Sequence, residues 1–375
     1  MTSLIIENFK CFKKQSVDLR QMTVLAGGNS VGKSSIVQAL LLSRICMDKV
    51  EGYYIDDTYH QTSEDVKIPL NGMYAMALGR IQEVLHRNAD NEHIRIHFAN
   101  SLAASCGILL HVPQTEADYS LDFKGFMGSR KAAKSYSIGQ DNFYYLNAER
   151  IGPRLRYEVE DTKYAHTGWN GELTIQVLGQ KSNDLVPAAR CCNVEVANTL
   201  LEQSRLWLKE ITPGTRLDNA EIYSKIKMAE ITLGSSRPTN VGFGLSYVLP
   251  IIVNGLIAKQ GSMLIVENPE AHLHPSGQSH IGKFLAKIAA SGVQVIIETH
   301  SEHVINGIRL AALQEIISHE KVQINFFDRS EVDEVTVTSI QLNEKADLTE
   351  WPNGFFDQQE RDLASIFRLK RHIKL

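Results

Sequence analysis

The stretch "GGNSVGKS", residues 27–34, decides the fold. It matches the spacing G-x-x-x-x-G-K-S, in which glycines let a loop curl so that backbone N–H groups face a phosphate chain. A strand-like run, "MTVLAGG", precedes the loop, and a helix-like run, "SIVQALLLSRI", follows it. The order strand, glycine loop, helix predicts a nucleotide phosphate site at the N-terminus of a helix.

The residues of this loop have expected roles in binding ATP. Lys33 is placed to reach the β- and γ-phosphates, and the hydroxyl of Ser34 is placed to ligate Mg²⁺. Because the loop stands between a strand and a helix, a chance glycine-rich sequence is disfavoured. The remaining contacts to the nucleotide are expected from Gly27, Asn29, Ser30, Gly32 and Ser35.

A second stretch, "MLIVENPEAHLHP", residues 263–275, ends an apolar strand on an acid, Glu267. A strand-end carboxylate of this kind holds Mg²⁺ in phosphoryl-transfer proteins. Where many ATPases carry a second acid, this chain has Asn268, which can hydrogen-bond a water but cannot accept its proton. Glu270 has two interpretations: it polarises the attacking water, or it caps the next helix near Pro275.

The stretch "VIIETHSEH", residues 295–303, carries another apolar run to His300. A histidine at the carboxyl end of a strand, beside the phosphates, can sense the γ-phosphate and orient the water. Taken alone, such a histidine is more often structural, but its position two elements after Glu267 favours the functional interpretation. The expected catalytic set is therefore Glu270, His300 and Asn268.

A glycine-rich segment, "NVGFGLSYVLP", residues 240–250, precedes a predicted helix. Free N–H groups at the N-terminus of that helix, together with Gly242, Gly244 and Ser246, would form an anion site. The alternative is a glycine-rich turn that permits tight backbone packing.

The composition sets the broad class of the protein. The chain has 375 residues, a formal net charge of −4, 43% hydrophobic residues and 22% charged residues, as expected for a soluble globular protein. No overall basic field draws it to nucleic acid, so such a contact requires a local patch. The five cysteines include no CxxC pair, which indicates reduced thiols in a cytoplasmic protein. The N-terminus does not resemble a signal peptide, and no apolar run reaches the roughly 18–20 residues that span a bilayer.

The hydrophobic pattern predicts the other elements. "SLIIENF" and "QMTVLAGG" predict two buried strands joined by a short polar link. "HIRIHFAN", "CGILLHV", "YSLDF" and "NFYYLNA" predict an antiparallel sheet. "NGMYAMALGRIQEVLHR" and residues 194–211 are predicted helices, the second with a broad apolar stripe. From residue 263 onward, strands alternate with helices.

These motifs, in this order, resemble the ABC-type ATPase heads of the SMC, RecF and OLD group. "LIIENFKCFKKQSVDL" with "TVLAGGNSVGKSSIVQALL" is similar to the N-terminal pattern of the group, and "LIVENPEAHLHP" and "VIIETHSEHVI" are similar to its Walker B and switch-histidine segments. "WPNGFFDQQERDL", residues 351–363, resembles the tail of an uncharacterised subgroup of small heads. The resemblance implies an α/β P-loop NTPase with a mixed central sheet, an added antiparallel β-subdomain and a helical subdomain.

The resemblance also implies a domain organisation: one ABC-type ATPase head over residues 1–375. Its parts would be the N-terminal strands, Walker A loop and helix (1–47), a mainly antiparallel β region (48–150), a helical, signature-side lobe (151–240), and a C-terminal part with the signature, Walker B, D-loop, switch histidine and tail (241–375).

Heads of this kind clamp two ATP molecules between two protomers. The resemblance implies that one protomer binds its own ATP and Mg²⁺ through the loop and acidic motifs, while the partner contributes the signature. In this chain the first set is Lys33, Ser34, Glu267 and His300, and the second is Gly242, Gly244 and Ser246. His274 and Pro275 would lie in the D-loop that crosses the interface.

Several departures from the family pattern concern the rate of hydrolysis and the assembly of the protein. Asn268 replaces the usual catalytic acid, so slow hydrolysis is expected. The signature lacks the Ser-Gly-Gly-Gln core. In the Q-loop region, "AERIGPR", only Glu149 or Arg150 is available as a substitute for the glutamine. Neither a Toprim nuclease segment nor the coiled-coil arms of SMC proteins are found.

The leading functional hypothesis is a cytoplasmic ATPase that dimerises on ATP and regulates a partner effector encoded nearby, in bacterial defence against phage. The alternative is a RecF-like factor for DNA repair or DNA-end binding, supported by the basic segments "FMGSRKAAKS", residues 126–135, and "RLKRHIKL", residues 368–375. Both segments are equally consistent with solvated surface. The ATP-binding subunit of a transporter is disfavoured by the N-terminal pattern and the weak signature, and no membrane partner is expected.

Overall fold

The computed structural model describes residues 2–49, 52–55, 58–61, 66–100, 103–113, 119–128, 130–234, 243–330, 334–352, 354–356 and 358–372. Its strands, in chain order, are β1 (Thr2–Phe9), β2 (Phe12–Leu19), β3 (Met22–Gly27), β4 (Gly52–Ile55), β5 (Thr58–Gln61), β6 (Lys67–Pro69), β7 (His93–Asn100), β8 (Ala103–His111), β9 (Ser120–Met127), β10 (Phe143–Leu146), β11 (Tyr157–Glu158), β12 (Asn219–Tyr223), β13 (Met228–Thr232), β14 (Met263–Glu267), β15 (Gln294–Thr299), β16 (Val322–Arg329) and β17 (Val335–Ile340).

The α-helices are α1 (Lys33–Lys49), α2 (Arg130–Ser135), α3 (Thr174–Lys181), α4 (Leu200–Ile211), α5 (Phe243–Ile257), α6 (Pro275–Ala290), α7 (Glu302–Leu313) and α8 (Gln358–His372). None of the helices in the described ranges has the length and apolar character needed to cross a membrane.

An antiparallel sheet forms one layer, with the strand order β2-β1-β7-β8-β9-β6. Three of the four segments predicted to form such a sheet lie here as β7, β8 and β9. The segment predicted to be a polar link is instead the strand β2. Its buried residues, Phe12, Val17 and Leu19, are separated by charged and polar residues that face outward, a pattern typical of a strand with one solvated face.

A second sheet, with the order β10-β14-β15-β3-β16-β17, carries the functional motifs. Its strands are parallel except β17, which runs antiparallel to β16. The fourth predicted segment, "NFYYLNA", belongs here as β10 and not to the antiparallel sheet. The strands β3, β14 and β15 are buried on both faces, which explains their continuous apolar sequences.

The helix α1 lies between the two sheets. Its apolar side chains, including Ile36 and Leu40, share one core with β1, β7 and β8 and with alternate residues of the parallel sheet, such as Ile265 and Ile296. The other face of the parallel sheet packs against α5, α6 and α7. The loop 27–32 connects β3 to α1. The packing of these two elements therefore fixes the direction in which the loop points.

Two predicted helices differ from the structure. The stretch "NGMYAMALGRIQEVLHR" forms only the short 3₁₀ turns Met73–Ala75 and Ile81–Glu83, since Tyr74 and Ala75 have left-handed backbone angles that end a helix. The helix predicted over residues 194–211 begins only at Leu200, because Thr199 is extended and occupies the N-cap position. The helix α6 matches its predicted segment.

Candidate nucleotide site

The glycine loop after β3 has a backbone that few residues other than glycine adopt. Gly27 has φ 140° and Gly32 has φ 102°. A Cβ atom on Gly27 would lie 2.2 Å from the carbonyl oxygen of Phe327, and one on Gly32 would lie 2.8 Å from Sγ of Cys11. Both glycines are therefore required for the loop to curl against its neighbours and open at the N-terminus of α1.

Lys33 and Ser34 form the first turn of α1. The side chain of Lys33 is buried and donates a hydrogen bond to the carbonyl oxygen of Gly28. Burial lowers the pKa of Lys33, while the nearby carboxylates of Glu298 and Glu270 act in the opposite direction. A cation held at the start of a helix, where the N–H groups also point outward, favours a bound anion.

Glu267 ends β14 at the same edge of the sheet as the loop. Its Oε1 accepts a hydrogen bond from the hydroxyl of Tyr145 at 2.8 Å, and the backbone N–H of Ala148 also donates to its carboxylate. Burial raises the pKa of Glu267, and these two donors and Arg150 partly offset that effect. The predicted strand-end acid is thus fixed in position by β10 and the segment that follows it.

Glu298 is a site residue that the sequence analysis did not identify. It lies on β15 directly opposite Glu267 in the strand register. It is only 5% exposed, and its Oε1 accepts a hydrogen bond from the hydroxyl of Ser34 at 2.9 Å. Burial, followed by the charge of Glu267, raises the pKa of Glu298 to about 7. The available signal was an acid within an otherwise apolar strand of the motif "VIIETHSEH".

Glu270 and His300 are brought together at the end of β15. The hydroxyl of Thr299 donates to Oε2 of Glu270 at 2.8 Å, and the backbone N–H of His300 donates to Oε1 at 2.7 Å. The ring of His300 hydrogen-bonds the backbone of Gly27. Burial lowers the pKa of His300, and the charge of Lys33 lowers it further.

Glu270 does not cap the next helix, which was the alternative role. The N-cap of α6 is His274, whose Nδ1 accepts a hydrogen bond from the backbone N–H of Ser276 at 3.4 Å. Pro275 follows as the first helical residue, where its missing N–H costs nothing. The two carboxylate oxygens of Glu270 instead join this turn to β15.

The backbone conformation at position 268 favours asparagine. Its φ is 43°, and asparagine enters this left-handed region more readily than most residues. Its N–H donates to the carbonyl oxygen of Glu298 at 2.8 Å. Its side-chain Oδ1 is buried without a hydrogen-bond partner among the described residues. The turn after β14 therefore suits asparagine at a position where many ATPases have an acid.

Arg150, and not Glu149, reaches the site from the predicted Q-loop region. Glu149 is exposed. The buried guanidinium of Arg150 donates to the backbone carbonyl oxygens of Glu267 and Asn268, the latter at 3.2 Å. It also lies over the ring of Tyr247, 5.8 Å from the ring centroid. Burial lowers the pKa of Arg150 to about 10.

The signature segment lies beside the turn that follows β14. A Cβ atom on Gly244 would lie 3.2 Å from the carbonyl oxygen of His272, and the ring centroids of Tyr247 and His272 are 4.5 Å apart. Ser246 is half-buried in the first turns of α5, and Gly242 lies outside the described residues. Gly244 thus lies against the turn that contains His272, a position compatible with both the anion site and the tight-packing alternative.

The residues near Ser34 fit a magnesium ion. Mg²⁺ prefers oxygen ligands, and the hydroxyl of Ser34 hydrogen-bonds the carboxylate of Glu298, which is paired with Glu267 in the strand register. The observation that tests the fit is Oε2 of Glu298, which is buried and has no hydrogen-bond partner in the described part of the chain. Such an oxygen is costly without a cation or a donor.

Family models match most of the chain. Residues 1–106 and 217–305, together just over half of the chain, match the model described as an AAA ATPase domain. Residues 317–366 match a model described as a protein of unknown function, DUF3696. A search among curated proteins found no significant match.

Solved structures of SMC heads have a similar fold. One is an SMC head bound to the C-winged helix domain of ScpA, with a TM-score of 0.54 and 11% identity over 91% of this chain and 98% of that chain. Another is an SMC head with an extended coiled coil, bound to the C-terminal domain of ScpA and derived from Pyrococcus furiosus. It has a TM-score of 0.52 and 12% identity over 98% of this chain and 100% of that chain. The chain belongs to the AAA ATPase domain family and has the fold of an SMC-type ATPase head.

Proposed function

We propose that this protein binds ATP with Mg²⁺, hydrolyses it slowly, and uses the ATP-bound state to dimerise and regulate a partner protein. One observation carries the proposal: the loop, the strand-end acid and the switch histidine converge at one edge of the parallel sheet. The contact between Ser34 and Glu298 joins residues 264 positions apart in the chain. A merely structural glycine loop has no need of that convergence.

The roles of the residues follow from this geometry. Lys33, which hydrogen-bonds Gly28 within its own loop, would exchange that carbonyl for phosphate oxygens. Ser34 and Glu267 would hold Mg²⁺, which when bound neutralises charge on the phosphates. His300 would turn from Gly27 toward the γ-phosphate. The predicted cofactors are therefore ATP and Mg²⁺.

Slow hydrolysis is supported by the surroundings of the proton acceptors. Asn268 cannot accept a proton from water. Both oxygens of Glu270 already accept hydrogen bonds, from Thr299 and His300, so a water can reach this carboxylate only through its remaining lone pairs. We expect a turnover number below about 10 s⁻¹, the median for enzymes.

ATP-dependent dimerisation is supported by the position of the signature beside the D-loop. Gly244 and Tyr247 contact His272, so both segments belong to one surface, where the resemblance places the partner's nucleotide. The anion site at Gly242, Gly244 and Ser246 would be completed only by that second ATP. Residues 1–375 would act as one head in this assembly.

Regulation of a partner protein is supported by the SMC heads of similar fold, which are bound to a domain of ScpA. The role in anti-phage defence rests on analogy with small stand-alone heads of the group. The proposed setting is the cytoplasm, with an effector encoded nearby. Nuclease activity that persists in highly purified Lys33→Ala protein would contradict regulation through ATP.

A second candidate function, DNA binding, is favoured by a cleft of about 520 Å³ lined by Lys10, Lys13, Lys14, Arg87 and Arg329, among other residues. Acids partly neutralise this cleft, since ion pairs of 2.8 Å and 2.9 Å join two of its lysines to Asp90 and Glu7. DNA-end binding that weakens steeply with salt would support this function. Absence of binding at low salt would remove it.

The experiment for the leading proposal is a mass measurement by light scattering with and without Mg²⁺-ATP. The wild-type chain of 42.0 kDa is expected to double in mass on adding ATP, and Lys33→Ala is expected to bind no ATP and to keep its original mass. Phosphate release measured on the same samples gives the turnover number. An unchanged mass of the wild type at saturating ATP would contradict ATP-dependent dimerisation.

A further inference from the structure

The parallel register of β14 and β15 places two acids side by side. Glu267 is paired with Glu298 in that register, and the side chain of Glu298 is buried. Two like charges at a buried edge cost free energy unless a cation lies between them. The nearest helix, α1, presents the hydroxyl of Ser34 to this pair.

The two acids differ in how their oxygens are satisfied. Glu267 has donors from Tyr145 and Ala148. Glu298 has one donor, Ser34, on Oε1, while its Oε2 is buried without a hydrogen-bond partner in the described ranges. A purely structural buried acid is ordinarily hydrogen-bonded at both oxygens. Lys33, the neighbouring cation, donates to the carbonyl oxygen of Gly28.

We propose that Glu298 is a ligand of the Mg²⁺ ion, which is held by two carboxylates from adjacent strands, Glu267 and Glu298, together with the hydroxyl of Ser34. This inference rests on the proposed function, because it assigns a further ligand to the same nucleotide site. In the metal-free protein, Glu298 keeps the hydroxyl of Ser34 in place. The ion would give Oε2 of Glu298 the partner that it lacks, and the hydroxyl of Ser34 would offer it a lone pair.

The inference predicts opposite effects of one substitution with and without metal. Glu298→Gln keeps the size of the side chain and removes a charge from the buried pair. The metal-free variant is therefore expected to unfold at the same temperature as the wild type or at a higher one. With metal and nucleotide present, the same variant lacks a ligand, and the rise in unfolding temperature caused by metal is expected to shrink.

The test uses Mn²⁺ as a paramagnetic substitute for Mg²⁺ and a non-hydrolysable ATP analogue. Free Mn²⁺ is measured by its electron paramagnetic resonance signal during titration of the purified full chain. Glu298→Gln is expected to raise the Kd for Mn²⁺ at least tenfold. Glu270→Gln is the matched control, since it removes the same charge from a carboxylate whose two oxygens are already hydrogen-bonded; its Kd is expected to change less than threefold.

The outcomes separate this inference from the proposed function. If the wild type binds neither the analogue nor Mn²⁺, the proposed function fails. If the wild type binds both, and Glu298→Gln binds Mn²⁺ as tightly as the wild type, the ligand role of Glu298 alone is overturned. Equal weakening by Glu270→Gln would also overturn it, because the effect would then reflect charge only. A metal-free Glu298→Gln protein that unfolds at a lower temperature would assign Glu298 a structural role instead.

Discussion

The hydroxyl of Thr299 and Oε2 of Glu270 form a hydrogen bond of 2.8 Å that ties the end of β15 to the turn after β14. The backbone N–H of the next residue, His300, occupies the other oxygen of Glu270 at 2.7 Å. One carboxylate thus holds the switch histidine in register with the Walker B turn. Its effect on stability and its effect on catalysis can be measured separately.

Replacing Glu270 with Gln tests both effects. The amide can accept from the N–H of His300, but its NH₂ group cannot accept from Thr299, and hydrogen bonds to charged groups contribute about 1.5–3 kcal/mol. We expect the free energy of unfolding in urea to fall by about 1–2 kcal/mol and phosphate release to slow. Glu344→Gln, at an exposed position, is the control. Unchanged stability and turnover would show that this carboxylate has neither role.

Tyr145→Phe tests the support of Glu267. The substitution removes the 2.8 Å hydrogen bond to Oε1 of Glu267 and leaves a buried carboxylate with one donor fewer. Such a loss costs about 1–3 kcal/mol, so we expect a lower midpoint in urea denaturation and weaker binding of Mg²⁺-ATP. Tyr119→Phe, at a side chain that is 52% exposed, should change neither quantity. Equal effects of the two substitutions would contradict the prediction.

Arg150→Met tests the link between the Q-loop region and the Walker B turn. The backbone carbonyl oxygens of Glu267 and Asn268 lose their guanidinium donor, and we expect the free energy of unfolding to fall by about 2–3 kcal/mol. Arg150→Lys should recover only part of this loss, since an ammonium lacks the planar fork of donors. Calorimetry of both variants, with the exposed Arg154→Met as control, gives the comparison. Full recovery of the free energy of unfolding by Arg150→Lys would contradict a role for the planar fork of donors.

The stability of the protein should depend on His166 below neutral pH. This residue stacks on Trp169, and its Nδ1 accepts a hydrogen bond from the N–H of Gly168 at 3.1 Å. Burial lowers its pKa from the ordinary 6.5. In the unfolded chain it is protonated as the pH falls through 6.5, whereas the folded protein takes up that proton only at lower pH. Acidification through this window therefore favours unfolding.

The variant His166→Asn removes the titration of this group while it can keep an acceptor for Gly168. Urea denaturation at pH 7 and pH 5 should show a smaller loss of stability on acidification in the variant than in the wild type. Other histidines titrate in both proteins, so only the difference between the two slopes is diagnostic. A steeper slope in the variant would show that His166 is not the residue responsible.

The sequence predicts the parts of the site that depend on local spacing. The loop 27–34, the acid Glu267 and the helix α6 were predicted because one strand, turn or helix specifies each of them. The fold class, an α/β P-loop ATPase head, is confirmed by the SMC head structures of similar fold. The roles of individual site residues remain predictions until nucleotide binding is measured.

The features that were missed depend on strand order or on backbone angles. Glu298 becomes significant only when β15 lies between β14 and β3, because that order places its carboxylate beside Ser34. The strand β2 was not predicted, because the charged residues on its outward face obscure the alternation of apolar and polar residues. Tyr74 adopts a left-handed angle, which no apolar periodicity reveals.

Arg150 links the helix α5 to the end of β14. Its guanidinium touches the backbone at the end of β14 and the ring of Tyr247 on α5. The same side chain thus contacts α5 and hydrogen-bonds the backbone that positions Glu267. A partner that displaces α5 is therefore expected to act, through this one side chain, on the backbone that carries Glu267.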